Sequence, residues 1–502
     1  MVPAIWFGGR NYSPAWMQAE IQRILAGLHG LQCKEGDTVA AMLRNSPEYV
    51  ALVLACRQAG LYLASINWHF KALEAGHILT DSAARTLFVD ADLLAQIREG
   101  IPEGVHIVAV APADTAATDR EVHRWTDFGS GLPPMPPRTG LLHGAITYTS
   151  GTTGKPKGVR RIPWSPDEQA QMQPRLQRVV DIVYGTGTGV TAYFSAPIYH
   201  SAVMNYLLHF SQLGATLVME PRFDADRALD LLAQHRVTHA YLVPTMYQRL
   251  LAVDPAARAR RDLSALRHVA STGSPCAAPL KQAMIEWLGP VITEAYGSSE
   301  AGYTTFIDSA DWLTHAGSAG RPLPDAEVRI LDENGNPLPM REIGLIYVRQ
   351  RAVPDFTYIN RPDARAAAER DGLVTLGDMG YLDEDGFLYI CDRKADMVIS
   401  GGVNIYPAEI ESVLLTMPGV EDCAVFGIPD SEFGEALAAA VQPRAGSHIE
   451  AHAVQHFLRE RIANYKVPRV VEIHAALPRE DSGKIFKRRL REPYWQGQTR
   501  AI

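Results

Sequence analysis

Between positions 148 and 159 the chain reads YTSGTTGKPKGV, and residues 149–158 alone hold three glycines, four hydroxyl side chains and two lysines. Glycine lets a backbone come close to a ligand, while free amides, hydroxyls and ammonium groups all present donors. The guest that suits such a loop is a polyanion such as a nucleotide triphosphate. The pattern is not GxxxxGK[ST]: only two residues separate Gly151 from Gly154, and Pro156 follows Lys155. On composition alone, a surface linker rich in Gly, Ser, Thr and Lys explains the stretch equally well.

The loop is followed, in order, by APIYHSA, EAYGSSEAG, TLGDMGYLDEDGFLYICDRK, DMVISGGVNIYPAEIE and SGKIFKRRLR. This series resembles the adenylate-forming superfamily, which includes acyl-CoA synthetases, peptide-synthetase adenylation domains and luciferases. The resemblance runs from about residue 12 to residue 491, nearly the whole chain. It implies a large N-terminal domain that binds ATP and a small mobile C-terminal domain. It also implies the chemistry: a carboxylate is a poor electrophile, so it attacks the α-phosphorus of ATP and becomes an acyl-adenylate as pyrophosphate leaves.

By this resemblance Thr149, Ser150, Gly151, Thr152, Thr153, Gly154, Lys155 and Lys157 close over the β and γ phosphates. Tyr296, followed by Gly297, offers a ring for adenine, and Gly273 with Ser274 forms the other adenine wall. Ser299 brings a hydroxyl to the α-phosphate where the family usually has Thr, and Glu300 brings an anionic oxygen to Mg²⁺. Asp378 can accept hydrogen bonds from both ribose hydroxyls, the family's use of this aspartate, although Asp is also common as a turn cap. Arg393 supports the ribose or phosphate. His200 lies beside the reacting carboxylate and positions it, since a carboxylate nucleophile needs no general base.

Lys484, in SGK, is implied to bridge the α-phosphate and the attacking carboxylate, where a preorganised cation is worth roughly 3 to 4 kcal/mol. Lys484, Lys487, Arg488, Arg489 and Arg491 form a basic run that could alternatively meet nucleic acid or acidic lipid, a reading that the net charge of -8 disfavours. After adenylation the family rotates its small domain. Gly401 and Gly402 in ISGGVN would then let the pantetheine arm of CoA pass close to the backbone. The usual hinge Asp or Lys falls on Ala395, which leaves dihedral freedom but no polar side chain of its own to lock either state, a part open to the neighbouring Lys394 or Asp396. No Phe-Asp-x-Ser amine anchor stands near Tyr199, His200 and Ser201. Ala202, Val203, Met204 and Leu207 suit an apolar or ring-bearing acid, and equally an ordinary core.

The elements that must carry these residues are legible in outline. Ser13 and Pro14 precede Met17, Ile21, Ile24, Leu25 and Leu28, an apolar helical face. A strand over 38–43 leads into a second helix opened by Ser46 and Pro47 and closed by Gly60. The rhythm returns as strand ATLVME, a helix from Asp224 through Gln234, strand HAYLV, strand LRHVAST and a helix near Pro279. It predicts α/β layers with largely parallel sheets. From about Gly317 short strands joined by Asn-Gly and Asp-Gly turns predict a β-rich subdomain over 317–392 within an N-terminal domain of 1–392. Helix PAEIESVLLTM, strands CAVFGI and ALAAAV, a helix from about Glu450 and strand RVVEIH predict an α+β domain over 393–502.

At 502 residues, with 47% hydrophobic and 21% charged residues, the composition is that of a soluble enzyme of several structural units. Five scattered cysteines give no disulfide framework or CxxC metal site, and the N-terminus has no secretory pattern, so a cytoplasmic setting is expected. No apolar run reaches the roughly 18 residues of a membrane span. The expected activity is ATP-, Mg²⁺- and CoA-dependent ligation of an acid. A free-standing enzyme that loads a carrier protein is the second reading, and a noncatalytic nucleotide-binding regulator the third.

Overall fold

Ser13 and Ser46 each accept a hydrogen bond from the backbone N–H three residues on, and each precedes a proline whose fixed φ suits the first helical turn. The helices they start, Pro14–Gly30 and Pro47–Ala59, are the first two in the computed structural model. The structure describes residues 2–110, 122–133, 135, 143–149, 156–479 and 485–496. Gly60 ends the second helix in a left-handed conformation, φ 65°, which a Cβ would disfavour.

Two large sheets flank these helices. The first has nine strands, in the order Arg321–Pro322, Gly302–Ile307, Ile292–Ser298, His268–Thr272, His239–Tyr241, Thr191–Phe194, Thr216–Met219, Ala4–Phe7 and Arg10–Tyr12. From Ile292–Ser298 to Ala4–Phe7 every pairing is parallel, and the edges are antiparallel. The second sheet has eight strands, with Thr38–Met42, Tyr62–Ser65 and Ala84–Asp90 at its centre. Thr38–Met42 is buried throughout, as a parallel strand covered on both faces must be. One continuous core joins Ile24, Leu52 and Cys56 of the helices to Val39 and Phe88 of one sheet and Ala192 and Leu217 of the other.

The β-rich region is an antiparallel sheet of Ala326–Leu331, Gly344–Gln350, Leu373–Leu382, Leu388–Arg393 and the short Glu369–Arg370. Its turns close as expected: Asp332 accepts from Asn336 N, and Asp383 accepts from the amides of Asp385 and Phe387. One strand departs from the expected subdomain. Phe356–Tyr358 leaves this sheet and pairs antiparallel with Lys157–Arg161 at the edge of the eight-stranded sheet, with Tyr358 opposite Val159. The last sheet holds Val403–Ile405, Val398–Ser400, Gly434–Pro443, Val420–Asp430 and Val470–Ile473. Helices Pro407–Leu414 and Ala451–Arg459 cover one face, and Leu490 of Lys487–Arg491 packs on the other against Ala424 and Phe426. Among the described residues no helix is long and apolar enough to cross a membrane.

Candidate active site

The nine-stranded sheet concentrates chemistry at the carboxyl ends of its parallel strands, the edge where open α/β sheets take ligands. His200 follows Thr191–Phe194, Gly273 and Ser274 follow His268–Thr272, and Ser299 and Glu300 follow Ile292–Ser298. His200 is the N-cap of helix Ser201–Gln212, with its ring against that of Tyr199 at 4.5 Å. The next residue, Ser201, places its Oγ 3.0 Å from Ser299 Oγ. Gly273 has φ +91° and open space where a Cβ would stand.

The tip of EAYGSSEAG is tightly held. Ser298 Oγ accepts from the amides of Glu300 and Ala301, at 3.1 and 3.0 Å. Gly297 is required by packing, since a Cβ there would lie 2.1 Å from Gly302 O. Half-buried Arg161 donates to Ser299 O at 2.6 Å; desolvation lowers its pKa to about 10 while Glu300 pulls the other way, so it stays charged at neutral pH. Glu300 is only 8% exposed, and its Oε1 accepts from Tyr358 at 3.1 Å and from Thr149 Oγ1 at 3.4 Å. Burial, and then the neighbouring Glu300, push the Tyr358 phenol up, which keeps it a donor.

Thr149 pairs with Lys157 across the antiparallel strands Ala145–Thr149 and Lys157–Arg161. The glycine-rich stretch therefore joins two strands, unlike the strand-to-helix passage of a P-loop. Tyr148 donates to Asp81 Oδ2 at 2.9 Å, and His77 Nε2 donates to Pro156 O at 3.1 Å, so both ends are anchored to or beside helix Ala72–Asp81. Lys157 Nζ sits 5.2 Å from the Tyr358 ring centre. Ser150, Gly151, Thr152, Thr153, Gly154 and Lys155 lie outside the described residues, as does Lys484.

Asp378 is 7% exposed and lies within the strand Leu373–Leu382, opposite Arg393. It is therefore not a turn cap. Its Oδ2 accepts from Tyr296 OH at 2.7 Å, and its Oδ1 lies 3.4 Å from Arg393 Nε. Burial, and then the Asp378 charge, raise the Tyr296 pKa well above its ordinary value, so the phenol stays protonated. Tyr358 and Arg161, which sequence reasoning missed, join the two halves of the site through Glu300 and Ser299. Their only sequence signal is a buried polar residue type in a strand, and their partners are remote.

Val203, Met204 and Leu207 are core residues, so three of the four side chains considered for an acid pocket are taken up by packing. Tyr184 instead reaches this end of the helix: its hydroxyl donates to Ala202 O at 2.7 Å and is hydrogen-bonded to Tyr303 OH. In the C-terminal sheet Gly401 and Gly402 form the turn between Val398–Ser400 and Val403–Ile405, with φ +56° and +81°. Gly401 N donates to Phe433 O at 2.9 Å, and the Phe433 ring carries the Arg469 guanidinium 5.1 Å above it. Lys487 of the basic run is inward and ion-paired with Glu411 at 2.7 Å, which removes it from any surface patch.

Among the described residues no group of three His, Cys, Asp or Glu could hold a metal. Magnesium is commonly held by one or two carboxylates plus substrate phosphates, so the enclosed carboxylate of Glu300 beside Thr149 fits that ion.

Comparisons agree with this architecture. The family model described as AMP-binding enzyme matches residues 2–354, and that of the AMP-binding enzyme C-terminal domain matches 409–484. A feruloyl-CoA synthase of an Amycolatopsis species is 34% identical over 502 residues, covering 98% of this chain and 96% of that protein. An indoleacetate–CoA ligase of Aromatoleum aromaticum is 33% identical, covering 97% and 94%. The o-succinylbenzoate CoA synthetase of Bacillus subtilis, solved with an acyl-adenylate intermediate, superposes with a TM-score of 0.82 at 27% identity, covering 97% of this chain and 94% of that one. With matched models over both parts and relatives of this identity along its whole length, the chain belongs to the AMP-binding enzyme family.

Proposed function

We propose that this protein is an ATP-dependent acid:CoA ligase acting on an apolar or ring-bearing carboxylic acid. The observation that carries the reading is that one strand, Ile292–Ser298, with the residues just after it, meets two other sheets: Glu300 accepts from Thr149 and Tyr358, and Tyr296 donates to Asp378, which faces Arg393. A carboxylate oxygen bonds to the α-phosphorus as the bond to pyrophosphate breaks. The CoA sulfur then takes the acyl carbon, AMP leaves, and the thiol proton passes to solvent.

The residues divide the work by their chemistry. Thr149 and Lys157, with the stretch 150–155 between them, bind the outer phosphates. Glu300 would hold Mg²⁺, which when bound neutralises phosphate charge. Tyr296 and Gly297 face adenine opposite Gly273 and Ser274, and Asp378 with Arg393 receives the ribose. Ser299 and His200 orient the α-phosphate and the carboxylate, and Lys484 supplies the cation between them. Gly401 and Gly402 receive the pantetheine arm when the domain of 393–502 turns relative to that of 1–392. A cytoplasmic setting is part of the reading, supported by Cys33, Cys56, Cys276, Cys391 and Cys423 standing outside any disulfide.

Incubation with ATP, Mg²⁺, CoA and a panel of aryl and alkyl carboxylic acids tests this, with AMP, pyrophosphate and thioester measured separately. Thioester from free CoA is expected for at least one ring-bearing or apolar acid. Adenylate that reacts only with a carrier protein would replace CoA as the acceptor, and absence of pyrophosphate across the panel would overturn catalysis altogether.

A further inference from the structure

The segment between the strands Leu388–Arg393 and Val398–Ser400 is held from both sides: Asp396 N and Met397 N donate to Arg393 O, and Asp392 accepts from Ala408 N at 2.8 Å. Arg393 pairs with Asp378, and Lys394 N donates to Gly377 O at 2.7 Å, so both belong to the antiparallel sheet of the larger domain. The next carbonyl, Ala395 O, accepts from Arg491 Nη1 at 3.3 Å, and the same guanidinium is ion-paired with Asp396 at 3.5 Å.

The helix that carries Arg491 is fixed to the small domain. At its first residue Lys487 bonds Glu411 at 2.7 Å, and Glu411 Oε1 also accepts from Val425 N at 2.6 Å. Burial opposes the Lys487 charge, but Glu411, Asp392 and Asp396 together hold its pKa above the ordinary value. Leu490 anchors the other end of the helix in the core. A charged donor on so short and well-fastened a helix loses little freedom in gripping the linker. Ala395 has no polar side chain with which to hold either domain arrangement.

We infer that Arg491 is a positioning residue that fastens Ala395 and Asp396 to the C-terminal domain, beside the bonds that Asp396 N and Met397 N donate to Arg393 O at 2.9 and 3.0 Å. This rests on the two-orientation mechanism proposed above. The cationic tail of the chain thereby does from a distance what a hinge side chain does locally.

The test compares the full-length parent with Arg491→Ala and Arg491→Lys. Limited trypsin digestion reads nicking after the exposed Lys394, with fragments identified by mass, and needs no activity. Arg491→Ala is expected to nick about fivefold faster at an unchanged thermal midpoint, with Arg491→Lys in between. Single-turnover assays are expected to shift the ratio of adenylation to thioester-transfer rates by at least about threefold. Nicking equal to the parent's, or a ratio within about twofold of it, overturns the assignment. So does a parallel fall of both steps with a lowered midpoint, which marks a merely structural role. If the parent forms no adenylate, the proposed function fails while the nicking comparison still decides whether Arg491 fastens the linker.

Discussion

Tyr296 and Asp378 come from different sheets, and the phenol donates to Asp378 Oδ2 at 2.7 Å across the seam. The bond aligns a ring and a carboxylate, and leaves Oδ1 facing Arg393. A nucleoside needs these two surfaces together, one for the base and one for the sugar hydroxyls.

Asp378→Ala should therefore weaken ATP binding by about ten- to a hundredfold, the scale of one or two charged hydrogen bonds, while the fold persists. Tyr296→Phe keeps the ring and frees the carboxylate, so its effect should be several-fold smaller. Titration calorimetry with ATP separates the two. Equal affinity for parent and Asp378→Ala would remove Asp378 from the nucleotide site.

The two half-reactions should fail separately. Lys484→Ala removes a cation from the first transition state, so adenylate formation should fall by about 10² to 10³ while supplied acyl-adenylate still reacts with CoA. Gly402→Leu should do the reverse, because a side chain there blocks the thiol's approach without touching ATP. Open space surrounds Gly402, although its φ of +81° strains any side chain. Single-turnover measurement of each step is decisive, and equal loss of both steps in both folded variants would count against domain alternation.

Acid selectivity should answer to Tyr303. Ser299 meets Ser201, Ala202 holds Tyr184, and Tyr184 holds Tyr303, a chain of contacts that would back the acid if Ser299 meets the α-phosphate as proposed. Tyr303→Ala should raise kcat/KM for bulkier acids relative to the best small one by about tenfold. An unchanged ranking of acids would make Tyr303 a core residue only.

Acid pH should destabilise the larger domain through histidines that fold uncharged. Burial, then His268 and His209, lower the His239 pKa to about 4, and burial also lowers His268 and His209. The folded state binds fewer of these protons than the unfolded chain between pH about 6.5 and about 4. Stability is full above that window and is lost as pH falls through it. The denaturation midpoint of His239→Gln should fall less steeply over the same range, and parallel slopes would exclude this histidine as a source.

Local features were readable in the sequence because their causes are local. Ser13 with Pro14 and Ser46 with Pro47 start helices within their own first turns, and Asp383 shapes a turn with its nearest neighbours. Helix Pro166–Tyr184 was missed although Ser165 and Glu168 form a capping box, because Pro174 interrupts its interior. Motif residues could be placed by resemblance, but their mutual contacts could not. Ser201 and Ser299 are 98 positions apart, and nothing in either neighbourhood encodes the other. The apolar run after His200 fits a pocket or a core equally, and only the packing of Val203, Met204 and Leu207 decides.

The crossing of Phe356–Tyr358 onto Lys157–Arg161 also sets a timetable. The strand that ends the glycine-rich stretch waits for an edge partner encoded about 200 residues later, and Glu300 waits for the same Tyr358 hydroxyl. At a synthesis rate of about 5 to 20 residues per second, that partner emerges roughly 10 to 40 seconds after the strand it must cover. During that interval the nascent chain carries an unpaired sheet edge, the kind of surface that invites mispairing. The proposed nucleotide site is thus among the last parts of the large domain to be completed on the ribosome, although its first motif is among the earlier ones to be made.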